Sequence, residues 1–346
     1  MNCCAFCFGD RALRGIFIPL RSSENGRCQY CGSENVTILA PTEISDLFEL
    51  LVGAYRTDPA GKLLVQWFRE DWGMFEHPIM DDSRASDLLA EILSDVEIVR
   101  QTFSPAYDIE VNALSEWEKL RDELMYRNRF FPKSSVDLER LELLLDSLTV
   151  SGDEVPQIWF RARIQTGEAP YAVADMGAPP SRIASFGRAN PVGIPYLYLG
   201  STPETSISEV RPHTSELVCV AVFRTSGDLK LINLQDPRRM VSPFLLDDGA
   251  AICRMRDDLP FLERLGKELT RPVLPYAAAI DYTPSQYLCE FIKRCGYDGV
   301  VYRSSVSEGI NLALFDPDAA TRGTVTQYRV DRVLVDARPY TTTVAS

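Results

Sequence analysis

Phe186-Gly-Arg-Ala-Asn-Pro-Val-Gly-Ile-Pro-Tyr-Leu-Tyr-Leu-Gly-Ser201 decides how the C-terminal half of this 346-residue chain is read. Gly187 and Gly193 flank a turn at Arg188–Asn190, and a short apolar run over Tyr196–Leu199 then reads as a strand. Thr202-Pro-Glu follows as a helix start: Thr202 caps, Pro203 takes the first position and Glu204 suits the positive end. That helix carries Glu209 one turn beyond Thr205. Similar β-type runs lie at Ile158–Ile164, Leu217–Arg224, Leu229–Leu234, Gly299–Arg303 and Ile310–Phe315. Thr283, Pro284 and Gln286 predict a second capped helix, with Leu288, Phe291, Ile292 and Cys295 as its apolar stripe and Gly296 as its stop. Many strands, few helices and long loops predict an α+β domain rather than a doubly wound sheet. No Gly-rich phosphate loop follows a strand.

Upstream, the periodicity changes from two to 3.6. Apolar stripes at Ile44/Leu47/Leu50/Leu51, Leu63/Leu64/Trp67/Phe68, Leu88/Leu89/Ile92/Leu93/Val96, Leu114/Trp117/Leu120/Leu124/Met125 and Leu138/Leu141/Leu143/Leu144 predict five helices. Thr42 is the expected cap of the first. Arg127-Asn-Arg-Phe-Phe-Pro132 interrupts the series. The expected organisation is a Cys-rich module over residues 1–40, a helical domain over 41–150, and a mixed β domain over 151–346.

Cys4-x-x-Cys7 and Cys28-x-x-Cys31 are two knuckles twenty residues apart. Four thiolates in this spacing suit a tetrahedral structural zinc, with Gly32 allowing the turn. Cys3 competes with Cys4 for the first position. All four positions are filled by protein, so the metal would be structural. The nine cysteines are odd in number, and the N-terminus lacks the basic-then-apolar layout of a signal peptide, so disulfides are not expected and a cytoplasmic location is.

Composition narrows the function. A net charge of −13 without a basic stripe argues against nucleic acid as a partner, and no apolar run is long enough to cross a membrane. Two histidines, His77 and His213, argue against Ser-His-Asp hydrolysis and His-rich metal catalysis.

The order Gly187-Arg-x-Asn-x-x-Gly-x-Pro-x-Leu-Tyr-Leu199, then Glu209 and His213, then Tyr302-Arg-Ser-Ser-Val-Ser-Glu-Gly-Ile-Asn-Leu-Ala-Leu-Phe-Asp316, resembles the RES domain family. The resemblance covers about Ile158 to Asp316. Ala189 stands where many members carry Trp, and the stretch from Asp236 to Tyr282 is longer than in compact members. The helical part is similar to a HEPN-type extension found on some RES proteins. The resemblance implies an ADP-ribosyltransferase-like fold and NAD as substrate, split at its nicotinamide–ribose bond with water or phosphate as acceptor. It also implies a toxin or defence role, with an inhibitor or activator protein as partner.

NAD cleavage builds positive charge on the ribose, so the site needs a carboxylate there, a cation for phosphate and an aromatic wall. On that basis Arg188 is assigned to the pyrophosphate or ribose, Tyr198 to nicotinamide or ribose, Glu209 to the ribosyl cation, and Ser304 or Ser305 to ribose or phosphate. Arg161 and Arg163, two apart on one strand, are alternative phosphate ligands, and Asn190 joins the binding residues. Two other readings use the same residues: ADP-ribosyl transfer to a protein or nucleotide, and a non-catalytic zinc-ribbon protein whose RES domain has lost its chemistry.

Overall fold

The computed structural model describes residues 1–106 and 112–334. The chain forms two compact units. One comprises Met1–Thr149 with Asn233–Glu268; the other comprises Val150–Ile232 with Leu269 onward. The architecture is α+β, as expected.

Along the chain, β1 (Cys3–Cys4), α1 (Ala5–Phe8), α2 (Ile18–Arg21), β2 (Asn25–Gly26) and β3 (Val36–Leu39) come first, with a three-stranded sheet in the order β1-β3-β2. Then follow α3 (Ser45–Val52), β4 (Tyr55–Leu63), α4 (Leu64–Trp72), α5 (Asp82–Leu93), β5 (Thr102–Pro105), α6 (Ala113–Tyr126) and α7 (Leu138–Asp146). All five expected helices form. Thr42 lies inside a 3-10 turn, Pro41–Ile44, so it does not cap α3. On α7 the buried residues are Leu141, Leu144 and Leu145, while Leu143 is 59% exposed, so the stripe is rotated from the expected one.

The antiparallel β4–β5 ribbon was not expected. The ladder bulges around Pro59 and Gly61, where Thr57 and Lys62 both face Phe103. A Cβ on Gly61 would meet the Phe103 carbonyl, so the bulge requires glycine. Aromatic rings bind this unit together. Phe8 lies 5.5 Å from Phe48 and 5.9 Å from Phe75, and Phe48 lies 5.0 Å from Phe244.

The second sheet uses β6 (Thr149–Ser151), β7 (Ile158–Ile164), β8 (Leu197–Gly200), β9 (Leu217–Thr225) and β10 (Lys230–Asn233), with α8 (Pro203–Glu209) between β8 and β9. The stretch that resemblance marked as extra carries α9 (Pro237–Met240) and the 22-residue α10 (Gly249–Thr270), most of which belongs to the first unit. Then come α11 (Ala278–Asp281), α12 (Thr283–Arg294), β11 (Gly299–Arg303), β12 (Ile310–Leu314) and β13 (Ala320–Arg329). The eight strands run in the order β13-β9-β7-β8-β12-β11-β10-β6.

Two details of this sheet matter for the site. β7 pairs with β9 over seven positions, yet meets β8 only at Phe160↔Gly200, so the sheet opens between β7 and β8. β11 and β12 form an antiparallel hairpin from Gly299↔Leu314 to Arg303↔Ile310.

The cap of α8 is as expected, with the Thr202 hydroxyl accepting from the Thr205 N–H at 3.0 Å. That of α12 is not. Tyr282 is already helical because α11 runs into α12, and Thr283 makes no cap bond. Gln286 donates instead to the Gly187 carbonyl at 2.8 Å. Cys289, rather than Cys295, completes the buried stripe of α12, and Gly296 ends it at φ +87.

Candidate active site and candidate metal centre

A cavity of about 510 Å³ lies where β7 and β8 part. Its walls include Arg161 from β7, Arg188 from the preceding loop, Tyr198 from β8, and Glu209 and Arg211 at the end of α8. Tyr282, Tyr302 and Asn311 complete it on the side of α11, β11 and β12.

The loop carrying Arg188 is heavily anchored. The Tyr198 hydroxyl donates to Asn190 Oδ1 at 2.7 Å and accepts from the Ala189 and Asn190 N–H groups at 2.9 and 3.2 Å. Asn190 is buried, and its Nδ2 donates to the carbonyls of Ser185, Pro191 and Ile194. Ser285 and Gln286 donate to the carbonyls of Arg188 and Gly187. Asn190 is therefore a loop pin that does not line the cavity. The Tyr198 hydroxyl is fully engaged by the loop, and the residue lines the cavity. Burial raises the Tyr198 phenol above its ordinary range and keeps it protonated.

Arg188 donates through Nη1 to the Arg271 carbonyl at 2.7 Å and reaches Ser305 Oγ with Nη2 at 3.5 Å. Its guanidinium lies 5.1 Å from the centre of the Tyr282 ring. Arg161 crosses the opening in the sheet, donating from Nη1 to the Tyr198 carbonyl at 3.0 Å. Its Nε is buried without a hydrogen-bond partner. Burial and then the neighbouring Arg163 lower its pKa to about 10, so it stays cationic at neutral pH. Arg163 points elsewhere, over the Tyr171 ring at 4.9 Å and toward the Asp175 carbonyl, and is absent from the cavity wall.

Glu209 Oε1 accepts from Ser304 Oγ at 2.7 Å and from Asn311 Nδ2 at 2.6 Å. Two donors saturate Oε1, and the residue lines the cavity. Ser304 and Ser305 reach the site through Glu209 and Arg188 rather than by lining it. The structure thus brings Arg161, Arg188, Tyr198 and Glu209 around one cavity, with Ser304 and Ser305 behind them. Asn311 and Arg211 escaped the sequence reading. Asn311 had a signal, a polar residue within the apolar strand Ile310–Leu314, since a buried amide needs a partner. Arg211 had none; it lies just past the helix end with φ +49.

At the N-terminus, the Sγ atoms of Cys4, Cys7, Cys28 and Cys31 all lie within 4.8 Å of one another, and all four residues are buried. Cys4 faces Cys31 at 3.5 Å and Cys7 faces Cys28 at 3.3 Å. Tetrahedral zinc with bonds of about 2.3 Å holds sulfurs roughly 3.8 Å apart, a spacing that lies between the two shorter separations and the 4.8 Å limit of this cluster. Cys3 lies outside the group of four. Gly32 takes φ +77, and the Cys31 N–H points at Cys28 Sγ at 3.5 Å, as a metal knuckle requires. The thiols titrate as one coupled group: contacts from Cys4 and then Cys7 hold Cys28 far below its ordinary pKa, and the Cys28 contact pushes Cys4 and Cys7 up.

A family model described as the RES domain matches residues 158–333, half of the chain. The chain belongs to the RES domain family. No curated protein matches it. Among solved structures, it is similar to a chain of the M. tuberculosis MbcT–MbcA toxin–antitoxin complex. The identity is 13%, over 55% of this chain and 92% of that one, with a TM-score of 0.34. A likeness that distant says nothing of activity.

Proposed function

We propose that the RES domain cleaves the nicotinamide–ribose bond of NAD in the cavity between β7 and β8. The observation that carries the reading is the pairing of cationic walls with a carboxylate fixed by two donors, in one cavity of a domain from this family. Arg161 and Arg188 bind the pyrophosphate. The rings of Tyr198, Tyr282 and Tyr302 form the aromatic wall. The Glu209 carboxylate faces the ribose, oriented by Ser304 and Asn311.

The C1′–N bond breaks with its electron pair going to the pyridinium nitrogen, which leaves as neutral nicotinamide. Positive charge grows on the ribose, and the Glu209 carboxylate stabilises it. Water attacks C1′ and loses a proton to give ADP-ribose. Phosphate attacking in its place gives the 1-phosphate ester. Loss of NAD would arrest growth, so the reading includes a toxin or defence effector restrained by an inhibitor protein. A structural zinc on Cys4, Cys7, Cys28 and Cys31 completes the proposal, with no part in the chemistry.

The test is NAD consumption by purified protein, with and without phosphate, beside Glu209→Gln. Turnover that falls by about 10² or more in the variant supports the reading. Label from NAD appearing in a macromolecule would move the assignment to ADP-ribosyl transfer. Undiminished turnover in Glu209→Gln would remove Glu209 from the mechanism. No turnover in the zinc-loaded, folded wild type would leave the non-catalytic interaction protein as the better account.

A further inference from the structure

We propose that the stretch from Tyr126 to Asp146 is a self-complementary surface through which two copies of this chain pair. Phe130 and Phe131 of each copy would seat against Leu143 on α7 of the other.

The loop between α6 and α7 is built, not frayed. Asn128 Oδ1 accepts from the Phe131 N–H at 3.2 Å, and Asn128 Nδ2 donates back to the Phe131 carbonyl. The Glu123 carboxylate accepts from the Lys133 and Ser134 N–H groups, both at 2.8 Å. These bonds fix the backbone on both sides of Phe130-Phe131. Yet Phe130 is 87% exposed and Phe131 83%. A pinned loop that holds two adjacent phenylalanines in water has the character of an interface anchor. Tyr126 is exposed beside them, and Arg127, Arg129 and Lys133 are exposed cations around them.

The complement lies on the next helix of the same unit. On α7, Glu139, Glu142, Leu143 and Asp146 recur at three- and four-residue spacing and share one face. Leu143 is exposed among these acids. One surface is aromatic with a basic rim; the other is aliphatic with an acidic rim. A two-fold axis between two copies makes each meet the other twice. A lipid headgroup surface or nucleic acid fits less well. Its negative charge extends past the loop and meets a chain of net charge −13, whereas the acids of α7 are local.

The test is the mass of the full chain by light scattering over a dilution series. A dimer is expected, loosened by salt. Phe130→Ser with Phe131→Ser should weaken it by about thirtyfold or more, as loss of an aromatic anchor does. Arg127→Glu with Arg129→Glu should give a monomer, as should Glu139→Lys with Glu142→Lys, and mixing these two variants should restore a one-to-one pair. All of these residues are exposed, and unchanged circular dichroism would verify that folding is kept. A wild type monomeric at every concentration, a dimer indifferent to the Phe substitutions, or charge variants that do not pair on mixing would each overturn the proposal.

Discussion

Gly187 shows how tightly the site is determined at the level of single residues. A Cβ there would sit 2.4 Å from Asn190 Oδ1 and 2.5 Å from the Tyr198 hydroxyl, the pair that holds the Arg188 loop. Gly187→Ala should therefore cost about 1–3 kcal/mol of stability. It should also displace Arg188 and depress NAD turnover. Thermal melting beside the NAD assay checks both, and an unchanged pair of values would mean that the loop is not anchored as described. The same residues explain what the sequence could convey. Arg188, Tyr198 and Glu209 are legible because they fall within one short stretch in a fixed order. Asn190 belongs to that stretch too, but a sequence does not tell which polar side chain turns inward to carbonyls. Asn311 showed only as a lone polar residue in an apolar strand, because its partner Glu209 lies more than a hundred residues away.

At the level of elements, amphipathic segments were readable and polar or irregular ones were not. The five helical stripes and six of the strands appear because burial of one face writes a period into the sequence. β13 was missed because it is an edge strand whose residues are mostly exposed, so it carries no apolar alternation. The start of α12 was misplaced because capping chemistry signals a helix start only where the chain is not already helical. The Cys-rich segment is an element in its own right, yet it is tied to its unit by Phe8 against Phe48 and by Arg21 to Asp46 at 2.6 Å. If zinc holds the four thiolates, one ion per chain should be found by elemental analysis. Chelation or Cys31→Ser should then lower stability by at least about 3 kcal/mol. Full stability after verified metal removal would argue against the assignment.

At the level of the whole molecule, buried carboxyls set the response to pH. Burial raises the carboxyls of Asp10, Asp71 and Asp258 above their ordinary value of 3.8; at Asp258 it outweighs Arg140. A folded pKa above the unfolded one means that stability is fully present below 3.8 and is lost as pH rises through the folded value. Asp46, lowered chiefly by Arg21, works the other way and loses its contribution as pH falls. Asp71 accepts from the Tyr55 hydroxyl at 2.8 Å, a bond that an amide oxygen also accepts. Asp71→Asn should thus match the wild type below 3.8 and gain on it as pH rises from there through the folded value, the gain holding level above it. Melting curves across pH read this directly, and a gain that appears only in acid would reverse the assignment.

The chain passes between its two units at 149/150, 232/233 and 268/269. On a ribosome this becomes an order of events. The aromatic cluster begun at Phe8 waits for Phe244, made only after the whole of β7, β8 and α8 has emerged. The first unit is thus begun first but is complete only at Glu268, after Val150–Ile232 of the second unit has been made. A nascent chain stopped near residue 150 carries an open core, with the rings that α9, α10 and their flanks should cover still facing water.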